Sequence, residues 1–195
     1  MLEVAATGTP RARRPVVVSS AILGTLIFVV AEVMFFSGAI SAFTISRASA
    51  PPGTWPGVGQ PRLPAEAVAL NTVLLLLSGV VLLFANRQYR KGSPTAHWFT
   101  LGAWSLGAGF VALQAVEWAR LLGQGLTLTS SALGGFFHLI VGAHAVHAIA
   151  ALVVMGFAWV QMARGKQQSG IFFGAQTFWY FVVLMWPVIY ARVYF

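Results

Sequence analysis

The chain has 195 residues, 58% of them hydrophobic and only 8% charged, with a mean hydropathy of +0.79. Soluble domains carry about 25% charged residues, so water is not the main solvent of this fold. The absence of cysteine excludes disulfides, thiolate zinc sites, iron–sulfur clusters and cysteine nucleophiles. The net charge of +8 does not point to nucleic acid, because the basic residues fall in short segments between apolar runs and not on one face.

Taken in order, residues 1–15 form a basic tail with Arg11, Arg13 and Arg14. Five apolar segments follow, at about 16–46, 68–86, 99–122, 132–162 and 171–194. Each is long enough to cross the hydrocarbon core as a helix. The first is too long for a signal-peptide core and lacks a clear cleavage site, so it counts as a span. The expected fold is therefore all-α, a single transmembrane bundle of five helices over residues 16–195. Residues 47–67, with Pro51, Pro52, Pro56, Pro61 and Pro64, read as an irregular loop, since proline fixes φ and removes a donor. The remaining connections are short, which makes successive helices antiparallel neighbours. No internal repeat or pair of broken helices is present.

Lys and Arg set the orientation. Eight of them lie in the N-terminal tail and the second and fourth loops: Arg11, Arg13, Arg14, Arg87, Arg90, Lys91, Arg164 and Lys166. Four lie on the other side: Arg47, Arg62, Arg120 and Arg192. The positive-inside rule then places the N-terminus in the cytoplasm, the C-terminus outside and the proline loop external.

Two of the four acidic residues lie inside spans. Glu32 is near the middle of the first helix and Glu117 near the outer end of the third. A charge at the bilayer centre costs roughly 2.5–3.5 kcal/mol on the lenient scale, so each needs a partner. The fourth helix offers His138, His144 and His147. At 100° per residue, His144 and His147 lie about 60° apart on one face, with His138 on another. The first and fourth helices run in opposite directions, so their midpoints are level. Glu32 is then expected to meet His147, with His144 second, and Glu117 to lie nearer His138. Such pairs serve either as a proton relay or as interhelical polar glue worth about 1 kcal/mol, and glue is preferred. No facing histidine set for haem and no Glu-x-x-His motif for di-iron is present. Gly102, Gly107 and Gly109 allow close helix contact, and Pro187 is expected to kink the last helix.

These residues resemble subunit III of the haem–copper respiratory oxidases. Glu32-Val33-Met34-Phe35-Phe36-Ser37-Gly38 is similar to the family's Glu-Val-x-Phe-Phe-x-Gly helix. Trp55-Pro56, Pro61, Leu70-Asn71-Thr72 and Ser78-Gly79 resemble its proline loop and following helix. Gln114 and Glu117-Trp118 resemble a Gln-x-x-Glu-aromatic motif, and Gly142-Ala143-His144-Ala145-Val146-His147 is similar to Gly-Phe-His-Gly-Leu-His. Trp179-Tyr180-Phe181-Val182, Trp186 and Tyr190 resemble the last helix. There the chain departs from the family, with Tyr180 and Val183 where a histidine and an aspartate are usual. The seven-helix members also carry two N-terminal helices that have no counterpart here.

The resemblance implies a non-redox accessory subunit in a multi-pass position in the bacterial inner membrane. It would pack on catalytic subunit I beside subunit II and a small subunit IV, hold structural phospholipid, and support proton uptake and oxygen access. Haem and copper would reside in the partners, with none in this chain. The alternatives are the homologous accessory subunit of a nitric oxide reductase and, in another class, a stand-alone transporter using Glu32.

Overall fold

A computed structural model describes residues 20–195 apart from 58, 167 and 168. The tail at 1–15, with its three arginines, and the first residues of the first span lie outside the described residues. The described residues form five helices and no strand: α1 (Ser20–Ala48), α2 (Ala65–Arg90), α3 (Ala96–Gly123), α4 (Ala132–Ala163) and α5 (Ser169–Val193). All five are long and apolar enough to cross a membrane. The chain is a multi-pass membrane protein.

The helix ends follow local chemistry. α2 starts directly after Pro64, a residue suited to a helix start because its missing N–H would have no intrahelical partner there. At its other end α2 runs on through the polar residues Arg87 to Arg90. A helix has no reason to stop where its apolar residues do, because backbone bonding continues into the headgroup region. α4 is capped by Ser131, whose Oγ accepts from the Gly134 N–H at 3.0 Å.

Helix adjacency does not simply follow chain order. Among the described residues α5 packs against α1, α2 and α4, whereas α1 meets only α4 and α5, and α2 only α3 and α5. α1 and α2 are consecutive in the chain yet stand on opposite sides of α5. The loop between them, which must pass over that end of the bundle, is the long proline-rich one. Its Trp55 packs against Phe43 with ring centroids 5.7 Å apart.

Hydrocarbon supplies no hydrophobic force between helices, so packing and interhelical hydrogen bonds must hold the bundle. Trp179 and Trp186, seven residues apart on one face of α5, are both fully buried. Their indole N–H groups donate across to α2, to Ser78 Oγ at 2.7 Å and Thr72 Oγ1 at 2.9 Å. A buried indole N–H needs such a partner. Trp104 ties α3 to α4 by donating to the Leu152 carbonyl at 2.9 Å. Tyr190 OH ties α5 to the start of α2 by donating to the Ala65 carbonyl at 2.8 Å. Gly107 is required for close approach, since a Cβ there would overlap the Trp179 ring. Gly109 faces open space. Pro187 lies inside α5, where it withholds one donor from the ladder, and the helix continues to Val193.

Candidate functional site: a carboxylate–histidine pair between two helices

Glu32 of α1 and His147 of α4 meet at 3.1 Å, Oε2 to Nε2, with side chains 20% and 15% exposed. The other ring nitrogen, Nδ1, lies 2.7 Å from the Ala143 carbonyl one turn earlier. A carbonyl has no proton to give, so Nδ1 carries the N–H and donates. A hydrogen bond at Nε2 then needs one proton between Nε2 and Oε2. The pair is either a carboxylic acid with a neutral imidazole or a carboxylate with an imidazolium. Both forms have zero net charge, which is the inexpensive arrangement in a low-dielectric setting.

Aromatic rings enclose the pair. Phe28, Phe36, Phe178 and Phe181 surround His147 with centroids 5.7–6.2 Å away. They come from α1 and α5, so three helices build the site. Phe28 and Phe178 also line a groove of about 380 Å³ between α1, α4 and α5, together with Gly24, Gly170 and Gly174. The groove is nearly all apolar and opens along the bundle surface.

His144 does not join the pair. It is 1% exposed, packed against Trp186 at 5.0 Å and Phe36 at 6.3 Å. Its ring turns into the interior, because its position on α4 points between Trp186 and α3.

The expected second carboxylate–histidine pair is also absent. His138 Nδ1 lies 2.8 Å from the Gly134 carbonyl, and its Nε2 accepts from the Trp118 indole N–H at 3.2 Å. Both nitrogens are therefore used. Glu117 instead takes Arg120 at 2.6 Å, one helical turn away on α3. A pair at that spacing costs less ordering than one across helices. Gln114, 5% exposed, donates from Nε2 to Tyr194 OH at 3.2 Å. Asn71 is 4% exposed within α2, and Pro56 is half-buried in the loop. Among the described residues no three His, Asp or Glu side chains gather as a metal site.

Sequence reasoning missed the two tryptophan bonds to α2. Their signal was present: Trp179 and Trp186 share a face at seven-residue spacing, and Thr72 and Ser78 are small hydroxyls in an otherwise apolar helix.

Similarity to known proteins extends over nearly the whole chain. The family model for cytochrome c oxidase subunit III matches residues 3–195. The probable cytochrome c oxidase subunit 3 of Nocardia farcinica is 30% identical over 193 residues, 93% of this chain and 89% of that protein. Cytochrome c oxidase subunit 3 of Phoca vitulina is 31% identical over 191 residues, covering 92% of this chain and 71% of its own length. That of Equus caballus is 31% identical over 182 residues, 88% of this chain and 67% of its own.

Proposed function

Because this chain belongs to the cytochrome c oxidase subunit III family, we propose that it is the non-redox accessory subunit of a proton-pumping, oxygen-reducing haem–copper terminal oxidase. It packs on catalytic subunit I, beside subunit II and a small fourth subunit, in a bacterial inner membrane. Haem and copper are carried by the partners. The N-terminus faces the cytoplasm, as the basic asymmetry directs.

The observation that carries this reading is the Glu32–His147 pair, standing on the residues through which the chain resembles the family. The pair joins α1 to α4 at zero net charge, and its first role is to hold α1 in the bundle. α1 needs such a tether, since Ile27, Val30 and Met34 are 64%, 62% and 71% exposed. That face suits a partner subunit or lipid chains. The apolar groove beside Phe28 and Phe178 suits an acyl chain of a structural phospholipid. The same proton in the pair could be passed on only if a second acceptor approached, which makes proton delivery the secondary role.

The test is purification of the native complex through a tag on this chain. Co-purification of a large haem-bearing subunit, a reduced-minus-oxidised haem spectrum and oxygen consumption support the reading. Nitric oxide reduction without oxygen consumption would assign the complex to a nitric oxide reductase. Purification free of any haem protein would refute the reading in favour of a stand-alone transporter.

A further inference from the structure

A second polar feature lies between α3 and α4, away from the Glu32–His147 contact. Here a cavity of about 120 Å³ is bounded by Phe110, Gln114, Trp118, His144 and Trp186, among others. Among the described residues, four buried side-chain polar atoms find no protein partner: Gln114 Oε1, His144 Nδ1, His144 Nε2 and Trp159 Nε1. Three of these four belong to residues lining this one cavity. Turning the Gln114 amide over does not help. Nε2 is engaged with Tyr194 OH, so the exchange would leave Nε2 unpaired in place of Oε1. Turning the His144 ring over only swaps two unpaired positions.

A buried polar atom left unpaired has given up its hydrogen bonds to water and gained none in return. A neutral imidazole presents one donor and one acceptor, and the Gln114 oxygen is an acceptor. The occupant must therefore both donate and accept hydrogen bonds. A hydrocarbon chain or an apolar gas would leave all three atoms unpaired. The space admits small molecules, since about 10–15 Å³ of such volume is enough to hold one water, which needs two to four polar partners. We propose that this cavity is an internal hydration site, in which a small water cluster bridges the Gln114 carboxamide of α3 to the His144 imidazole of α4.

The site rests on these residues alone and stands whether or not the oxidase reading does. The exposed residues at its rim are Ala115 and Ile149, both apolar, so exchange with bulk water is slow. His144 and His147 are one turn apart on α4. The cluster thus brings solvent into the bundle one turn from the proton shared with Glu32, and links α3 to α4 between the Trp118–His138 and Trp104–Leu152 bonds.

Radiolytic footprinting of the intact purified complex tests this, because X-rays generate hydroxyl radicals from bound water and oxidise the side chains beside it. The chain supplies its own control: Trp179 and Trp186 are both 0% exposed and both bonded to α2 hydroxyls, but only Trp186 lines the cavity. Trp186 is expected to be oxidised several-fold faster than Trp179. A rapid switch to ¹⁸O-water should leave the Trp186 product largely ¹⁶O at short times. Gln114→Leu combined with His144→Phe should bring Trp186 down to the Trp179 rate. Should that variant fail to assemble, a cryo-EM map of the wild-type complex decides, with rounded density expected within hydrogen-bond distance of Gln114 Oε1 and His144. Equal oxidation of the two tryptophans, xenon uptake at the cavity, or elongated density of an acyl chain would each overturn the proposal.

Discussion

The indole N–H of Trp118 donates to His138 Nε2 at 3.2 Å, joining α3 to α4 near the end of the bundle that carries Arg120. It fills the one lone pair left on a ring whose Nδ1–H is spent on the Gly134 carbonyl. His138 is thereby held as a neutral donor–acceptor bridge, with no carboxylate needed. Trp118→Phe keeps the ring but leaves Nε2 unpaired, and should lower stability by about 1–2 kcal/mol. His138→Leu in the same background should cost little more. A double-mutant cycle on thermal dissociation of this subunit measures the coupling, and strict additivity would show that the bond contributes nothing.

Glu32 is separated into its two roles by a pair of substitutions. In Glu32→Gln the amide N–H can donate to His147 Nε2, so assembly and turnover should stay near wild type. Glu32→Ala leaves that nitrogen unpaired at a cost of about 1–3 kcal/mol, and the subunit should be lost more readily in detergent. Retention and oxygen consumption are the readouts. Slow turnover of Glu32→Gln in a fully assembled complex would move proton transfer to the first role. Wild-type behaviour of both variants would remove Glu32 from any role.

The histidines of α4 give a complementary expectation. His144→Asn with His147→Asn should leave haem and copper content per complex unchanged, because the proposed redox ligands lie in other subunits. Metal analysis and the haem spectrum check this. Stoichiometric loss of either centre with all subunits retained would contradict it.

Two glycines on α3 should respond in opposite directions. Gly107→Ala places a methyl where the Trp179 ring lies, forcing that ring off its bond with Ser78. Overpacking of this kind costs about 1–3 kcal/mol. Gly109→Ala meets nothing within 4 Å and should gain up to about 1 kcal/mol from helix propensity. Thermal stability of the purified complex distinguishes them, and equal effects would contradict the close approach of the Trp179 ring to Gly107.

Orientation is open to cysteine labelling, which is clean because the native chain has none. Thr54→Cys in the proline loop should react with a membrane-impermeant maleimide added outside, and Lys91→Cys should not. The reverse pattern would invert the bundle.

The five helices were legible because the apolar runs are long and the breaks between them rich in proline, glycine and charge. The Glu32–His147 contact followed from depth alone, since antiparallel helices bring their midpoints level. Depth was insufficient for Glu117 and His138. Which way each side chain points around its helix decided their partners, and Arg120, at i+3 on α3, outcompeted any residue on another helix. The position of α5 between α1 and α2 was likewise hidden. Nothing in a linear pattern of apolar residues says which helix stands in the middle.

That middle position bears on how the protein is made. Of the five helices α1 is synthesised first, yet its helix partners among the described residues are α4 and α5, the last of the five to emerge. Insertion from the N-terminus therefore leaves α1 in the bilayer alone, with Glu32 facing hydrocarbon and no imidazole within reach. A solitary carboxyl there is cheapest in its acid form. When α4 arrives, His147 meets a carboxylic acid and supplies the lone pair that its tautomer leaves free. The finished pair then carries the same single proton as the acid that α4 meets, so closing the bundle requires no proton to be taken up or released at that depth.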